Sequence, residues 1–419
     1  GSHQADEYRE AVTSASHIRK NIRDLSEGEI ESIRSAFLQI QKEGIYENIA
    51  KFHGKPGLCE HDGHPVACCV HGMPTFPHWH RLYVLQVENA LLERGSAVAV
   101  PYWDWTEKAD SLPSLINDAT YFNSRSQTFD PNPFFRGHIA FENAVTSRDP
   151  QPELWDNKDF YENVMLALEQ DNFCDFEIQL ELIHNALHSR LGGRAKYSLS
   201  SLDYTAFDPV FFLHHANVDR IWAIWQDLQR YRKKPYNEAD CAVNEMRKPL
   251  QPFNNPELNS DSMTLKHNLP QDSFDYQNRF RYQYDNLQFN HFSIQKLDQT
   301  IQARKQHDRV FAGFILHNIG TSAVVDIYIC VEQGGEQNCK TKAGSFTILG
   351  GETEMPFHFD RLYKFDITSA LHKLGVPLDG HGFDIKVDVR AVNGSHLDQH
   401  ILNEPSLLFV PGERKNIYY

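Results

Sequence analysis

Apolar positions run almost unbroken from Pro209 to Trp225, reading Val-Phe-Phe-Leu, then His-His-Ala-Asn-Val-Asp-Arg, then Ile-Trp-Ala-Ile-Trp. Asp208 before Pro209 predicts a helix start there, with a carboxylate at the N-cap and proline at the first helical position. The helix runs to about Arg230, and one so apolar on every face is buried. It nevertheless carries two adjacent histidines, His214 and His215. Elsewhere the helical period has one wet face. Ser26 with Glu29 forms a capping box, and Ile30, Ile33, Phe37 and Ile40 carry a first helix to about Lys42. A short helical piece covers Glu47 to His53 and ends at Gly54. Pro77 opens and Gly95 closes a long helix, and Asp175 to Leu191 forms another, stopped by Gly192-Gly193. The spacing thus predicts four main helices around one site, as in a bundle. Residues 107 to 172 are polar and proline-punctuated, so loops with short helices are expected. The polar stretch from Lys233 to Gln288 is expected to wrap the bundle.

Near residue 300 the period changes from helix to strand. Val310 to Leu316, Val324 to Val331 and Phe383 to Val389 are β-branched and aromatic, and the last alternates Phe383, Ile385, Val387, Val389 against Asp384, Lys386 and Asp388. Turn signals at Gly334-Gly335, Gly350-Gly351 and Asn393-Gly394 separate the strands. The expected fold is multidomain α plus β: a mainly α-helical domain over 1–302, built on a four-helix bundle, then an antiparallel β-sandwich over 303–419.

Composition narrows the function. The chain has 419 residues and a net charge of -15, which disfavours nucleic acid or an anionic membrane as partner. No apolar run reaches spanning length and no signal peptide is expected. Seven cysteines, an odd number, suit an extracellular chain with three disulfides and one cysteine left over. Asn393-Gly394-Ser395 is a glycosylation sequon.

The histidines carry the chemistry. His184 and His188 are four apart, about 40° around a helix axis, so both rings can reach one ion. His214 and His215 are about 100° apart, so only one faces the same point. His53, His71 and one of His78 and His80 make a second group. Two such groups in one helical arrangement point to a pair of metal ions. Neutral nitrogens without carboxylates disfavour magnesium, calcium and manganese. A di-iron site is the rival, because Glu181 stands three residues before His184, but it requires a second such pair that the candidate ligands lack. Glu181 then reads as an ordinary polar helix position. Zinc also suits three imidazoles, yet paired all-histidine centres fit copper better.

His71-Gly-Met-Pro-Thr-Phe-Pro-His-Trp-His80-Arg and Asp208-Pro-Val-Phe-Phe-Leu-His-His215-Ala-Asn-Val-Asp resemble the two copper signatures of the tyrosinase and hemocyanin group. With the cysteine-rich loop, Pro-Tyr-Trp-Asp-Trp and the β-domain, essentially the whole chain resembles a functional unit of molluscan hemocyanin. The resemblance implies two copper ions, one held by His53, His71 and His80 and the other by His184, His188 and His215. His78 and His214 are then packing neighbours. It implies a thioether between Cys69 and His71, and disulfides Cys59–Cys68, Cys174–Cys241 and Cys330–Cys339. It further implies a secreted hemolymph protein, with other such units as partners in a large homo-oligomer.

The implied function is reversible dioxygen transport, with dioxygen held as peroxide between the two copper ions, and not catalysis. The alternative is a tyrosinase or catechol oxidase with an inhibitory C-terminal domain. Access distinguishes them, since the ligands are shared. Phe76 and Phe211 are expected to line the pocket, and Leu349, an apolar residue beside a tight glycine turn, to plug its entrance. Arg81, Asp219 and Arg220 are expected as buried ion pairs bracing the helices, and Asn393 as a glycosylation site.

Overall fold

Helices form close to where the apolar period places them. The computed structural model describes residues 17–255, 265–356 and 359–413, so part of the stretch from Lys233 to Gln288 lies outside the described residues. Helix α1, Glu27–Lys42, opens on the Ser26–Glu29 capping box, and α2 is the short Ile45–Ala50. Helix α3, Phe76–Glu93, is buried on nearly every face. Helix α4, Asn157–Leu168, lies in the stretch expected as loops with short helices; Asp156 caps it, and Phe160, Val164, Met165 and Leu168 give it a buried face. Helix α5 is Phe173–Gly192 and α6 is Val210–Tyr231. The last starts one residue later than the Asp-Pro signal suggests. The Asp208 carboxylate accepts from the Val210 amide at 3.0 Å and pairs with Arg148 at 2.8 Å.

Helices α3, α5 and α6 pack on one another, with α1 against α3 and α4 against α5 and α6. Asp219 on α6 ties this packing together. It accepts from Arg81 on α3 at 2.6 Å, from Arg19 at 3.2 Å and from Tyr282 at 2.7 Å. Removing one partner of so buried a network costs about 3–5 kcal/mol. Arg220 departs from the expected ion pair. It donates to the Asn286 and Gln288 carbonyls and stacks over Tyr102.

The β-domain consists of two three-stranded antiparallel sheets, β3-β2-β5 and β4-β1-β6. Their strands are β1 Arg309–Ile315, β2 Ala323–Gln333, β3 Glu336–Ile348, β4 Leu362–Asp366, β5 Asp384–Ala391 and β6 Ser406–Val410. Val310, Ala312 and Phe314 of one sheet face Val325, Ile327 and Ile329 of the other, at period two. A short helix, Thr368–Leu374, links β4 to β5. The β-domain packs directly on α5. Leu182 of α5 packs into the sandwich core, while Leu349, just past β3, packs into the helical core. Helix α7, Ile294–Arg304, crosses the expected 302/303 junction, and Arg304 and Arg309 on either side of its end both pair with Glu169.

Candidate metal centre

The helices bring the predicted histidines to one place. Helix α3 presents His80, α5 presents His184 and His188, and α6 presents His214 and His215. His53 follows α2, and His71 lies in the loop between the Leu58–Ala67 hairpin and α3. The ring nitrogens form two groups, His53, His71 and His80, and His184, His188, His214 and His215, each with candidate ligand atoms within 4.8 Å of one another. The groups adjoin: the His80 and His215 rings stack with centroids 4.4 Å apart.

Hydrogen bonding fixes the tautomers. His80 Nδ1 faces the Phe76 carbonyl at 2.8 Å, His53 Nδ1 that of Leu202 at 3.2 Å, and His188 Nδ1 that of Leu199 at 2.9 Å. His184 Nδ1 faces Asn185 Oδ1 at 2.8 Å, and the Asn185 amide is oriented by donating to the Thr347 carbonyl. A carbonyl oxygen only accepts, so all four rings carry their proton on Nδ1. Their Nε2 lone pairs are therefore bare. Yet His184 and His188 Nε2 lie 2.8 Å apart, and His53 and His80 Nε2 lie 3.4 Å apart. Two lone pairs facing each other in an apolar interior repel, and a cation shared between them removes the repulsion. His71 and His215 have no partner on either nitrogen among the described residues. The donor set therefore fits metal.

Burial keeps these rings neutral. It pushes His80 down to about 3 and His188 to about 4, and lowers His53, His71, His184 and His215 as well. Neutral imidazole is the form that binds metal.

His214 lies within the second group but differs in chemistry. Trp105 Nε1 donates to its Nδ1 at 3.0 Å, which places the ring proton on Nε2 and leaves no lone pair for a metal. His78 belongs to neither group and packs among Phe173, Trp222 and Phe274.

The surroundings are dry. Phe76 and Phe211 are fully buried, with Phe76 4.7 Å from the His184 ring and Phe211 4.3 Å from that of His215, by centroid. A cavity of about 70 Å³ reaches His71 from the domain boundary. Leu349, Leu202, Asn185 and Met355 line it. Glu181, expected as an ordinary polar position, is instead buried. It accepts from the Gly72 amide at 2.6 Å and shares Arg361 of the β-domain with Glu177. Sequence spacing gave no hint of this, because its partner lies 180 residues away.

Disulfides join Cys59 to Cys68, Cys174 to Cys241 and Cys330 to Cys339. Cys69 remains a buried thiol, pushed up to about 12 by desolvation. Asn393 is exposed, and its Oδ1 accepts from the Ser395 amide and hydroxyl. Sequence reading missed Trp105 and the Leu199 and Leu202 carbonyls as orienting groups. Backbone acceptors carry no residue signature, and Trp105 lies 109 residues from His214 in the chain.

Comparison with known proteins matches residues 43–228 to the common central domain of tyrosinase and 304–411 to the haemocyanin β-sandwich. The chain is 62% identical to hemocyanin beta-C chain unit D of Helix pomatia, over 97% of this chain and 100% of that one. It is 61% identical to hemocyanin 1 of Megathura crenulata over 98% of this chain, and spans only 12% of that longer protein. A functional unit of octopus hemocyanin superposes with a TM-score of 0.85 at 43% identity, covering 94% of this chain and 100% of that one.

Proposed function

The chain belongs to the molluscan hemocyanins, a family with a copper centre, and we propose on that premise that it binds dioxygen reversibly at two copper ions. The carrying observation is the pair of bare Nε2 contacts, His53 with His80 and His184 with His188, each of which a bound cation reconciles. His53, His71 and His80 hold one ion, and His184, His188 and His215 the other. Copper supplies the reversible electron donation that dioxygen binding requires.

The chain's own residues decide what else happens there. The Leu199, Leu202 and Phe76 carbonyls and Asn185 aim four rings by taking their Nδ1 protons. Phe76 and Phe211 pack against the His184 and His215 rings and keep that side of the centre apolar. The β-domain packs on α5 and covers the metal-holding helices from that side. Leu349 lines a cavity of about 70 Å³, less than half the ~150 Å³ of a cavity that admits a benzene ring. This favours a carrier over an oxidase.

Cys69, the cysteine outside the three disulfides, forms a thioether with His71. The sulfur–carbon bond replaces an S–H and a ring C–H, and dioxygen takes the two hydrogens and two electrons as hydrogen peroxide. The link fixes a ring that makes no hydrogen bond of its own. Asn393 carries a glycan, the protein circulates in hemolymph, and other such units are its partners in a large oligomer. None of the described helices is long and apolar enough to cross a membrane.

The test is a near-ultraviolet absorption that rises on oxygenation of the copper-loaded chain and vanishes on its removal, with catechol turnover near background. Rapid catechol turnover without activation contradicts the carrier reading.

A further inference from the structure

One short segment touches both histidine groups and the β-domain. The Leu199 carbonyl accepts from His188 and the Leu202 carbonyl from His53, one ring from each group, three residues apart. The same segment is fastened to the turn that follows Leu349. The Leu202 amide donates to the Gly350 carbonyl at 3.0 Å. The Asp203 carboxylate accepts from the Glu352 amide at 2.9 Å and from the Thr353 amide at 3.0 Å, and also from the Thr353 hydroxyl.

The packing admits little play. A Cβ at Gly54, beside His53, would lie 2.6 Å from Asp203 Cα, and one at Gly351 would lie 2.9 Å from the Asp203 carboxylate. Asp203 itself is buried, and its three side-chain donors all come from the β-domain. Both carboxylate oxygens are used, which an amide cannot reproduce because one of its two ends only donates.

We propose that Asp203 is a positioning residue that registers Leu199–Asp203 against the β-domain and so sets the ring orientation of His53 and His188 together. The inference rests on the copper reading above. A shift of the β-domain moves the Leu199 and Leu202 carbonyls as one unit. It therefore changes the His53–His80 and His184–His188 spacings at the same time, and domain position regulates how firmly both metals are held.

The test measures copper loss to a chelator from the copper-loaded full chain under nitrogen. Losing a group that orients metal ligands weakens binding about tenfold or more. Asp203 acts one bond further out, so Asp203→Asn should speed copper loss about three- to tenfold. Arg309→Gln cuts a different interdomain pair, with Glu169, and should lower the unfolding temperature without changing that rate. Equal acceleration in both variants, or an Asp203→Asn rate within twofold of the parent, overturns the proposal. If Asp203→Asn fails to fold, Thr353→Val removes only the hydroxyl donor and should speed copper loss about twofold; an unchanged rate overturns the proposal. The assay needs no oxygen. A parent that holds copper but binds no dioxygen therefore refutes only the oxygen reading, whereas a parent that holds no copper sinks both.

Discussion

Replacing Leu349 with alanine should open the metal centre to diphenols. Leu349 is 8% exposed and packs into the helical core from the β-domain side. The cavity it borders is about 70 Å³. Three lost carbons, each on the order of a water molecule in volume, add roughly 80 Å³. The total, on the order of 150 Å³, matches cavities known to admit a benzene ring. The cavity opens toward His71 and Asn185, so a ring entering there meets the metal-holding face directly. Stability should fall by about 2–3 kcal/mol, the low end for leucine to alanine, because the side chain already borders open space. The assay is catechol oxidation by the copper-loaded variant, with copper content measured in parallel. At least a tenfold rise at unchanged copper content is expected. A rate within twofold of the parent, with copper retained, refutes Leu349 as the cover.

Three further outcomes follow from the same geometry. His215→Gln should cost one of two bound copper ions, while His214→Gln keeps both, because Trp105 already occupies the His214 lone pair; copper analysis after dialysis decides, and loss of an ion from His214→Gln contradicts the tautomer argument. The metal-free chain should lose stability as pH falls below 6.5. His80 and His188 stay neutral in the fold down to about 3 and about 4 but take protons when unfolded, which gives roughly 2 kcal/mol per pH unit for the pair between pH 6 and 4. Thermal unfolding of metal-free chain across that range measures it, and a flat profile contradicts neutral burial. After reduction, intact mass should fall two hydrogens short of the sequence mass, with Cys69 resisting alkylation; a chain in which all seven cysteines alkylate has no thioether.

Much of the centre was legible because helices convert spacing into direction. His184 and His188 share a face by their four-residue interval, and the Asp208-Pro209 signal placed the helix bearing His215 within one residue. β-Branched and aromatic runs revealed β1 and β2, and period two revealed β5. Strand β3 stayed hidden because its first half, Glu336–Lys342, is polar at the sheet edge, where no core demands alternation. Helix α4 was expected only as an unplaced short helix, because the residues of its first turn, Asn157-Lys-Asp, are polar. Glu181 was misjudged, and the bond from Trp105 to His214 went unseen, for a different reason. Their roles depend on Arg361 and His214, partners that only the tertiary fold brings near. Leu199 and Leu202 act through backbone carbonyls, which every residue type possesses.

The central claim is that two groups of bare imidazole nitrogens hold two copper ions that take up dioxygen and return it. It is tested most directly by titrating the metal-free chain with copper(I) under nitrogen and then measuring dioxygen uptake and release. The account predicts two copper ions per chain and one dioxygen per pair of ions, fully recovered when oxygen pressure is lowered. A single bound copper ion, or dioxygen consumed without recovery, would contradict it.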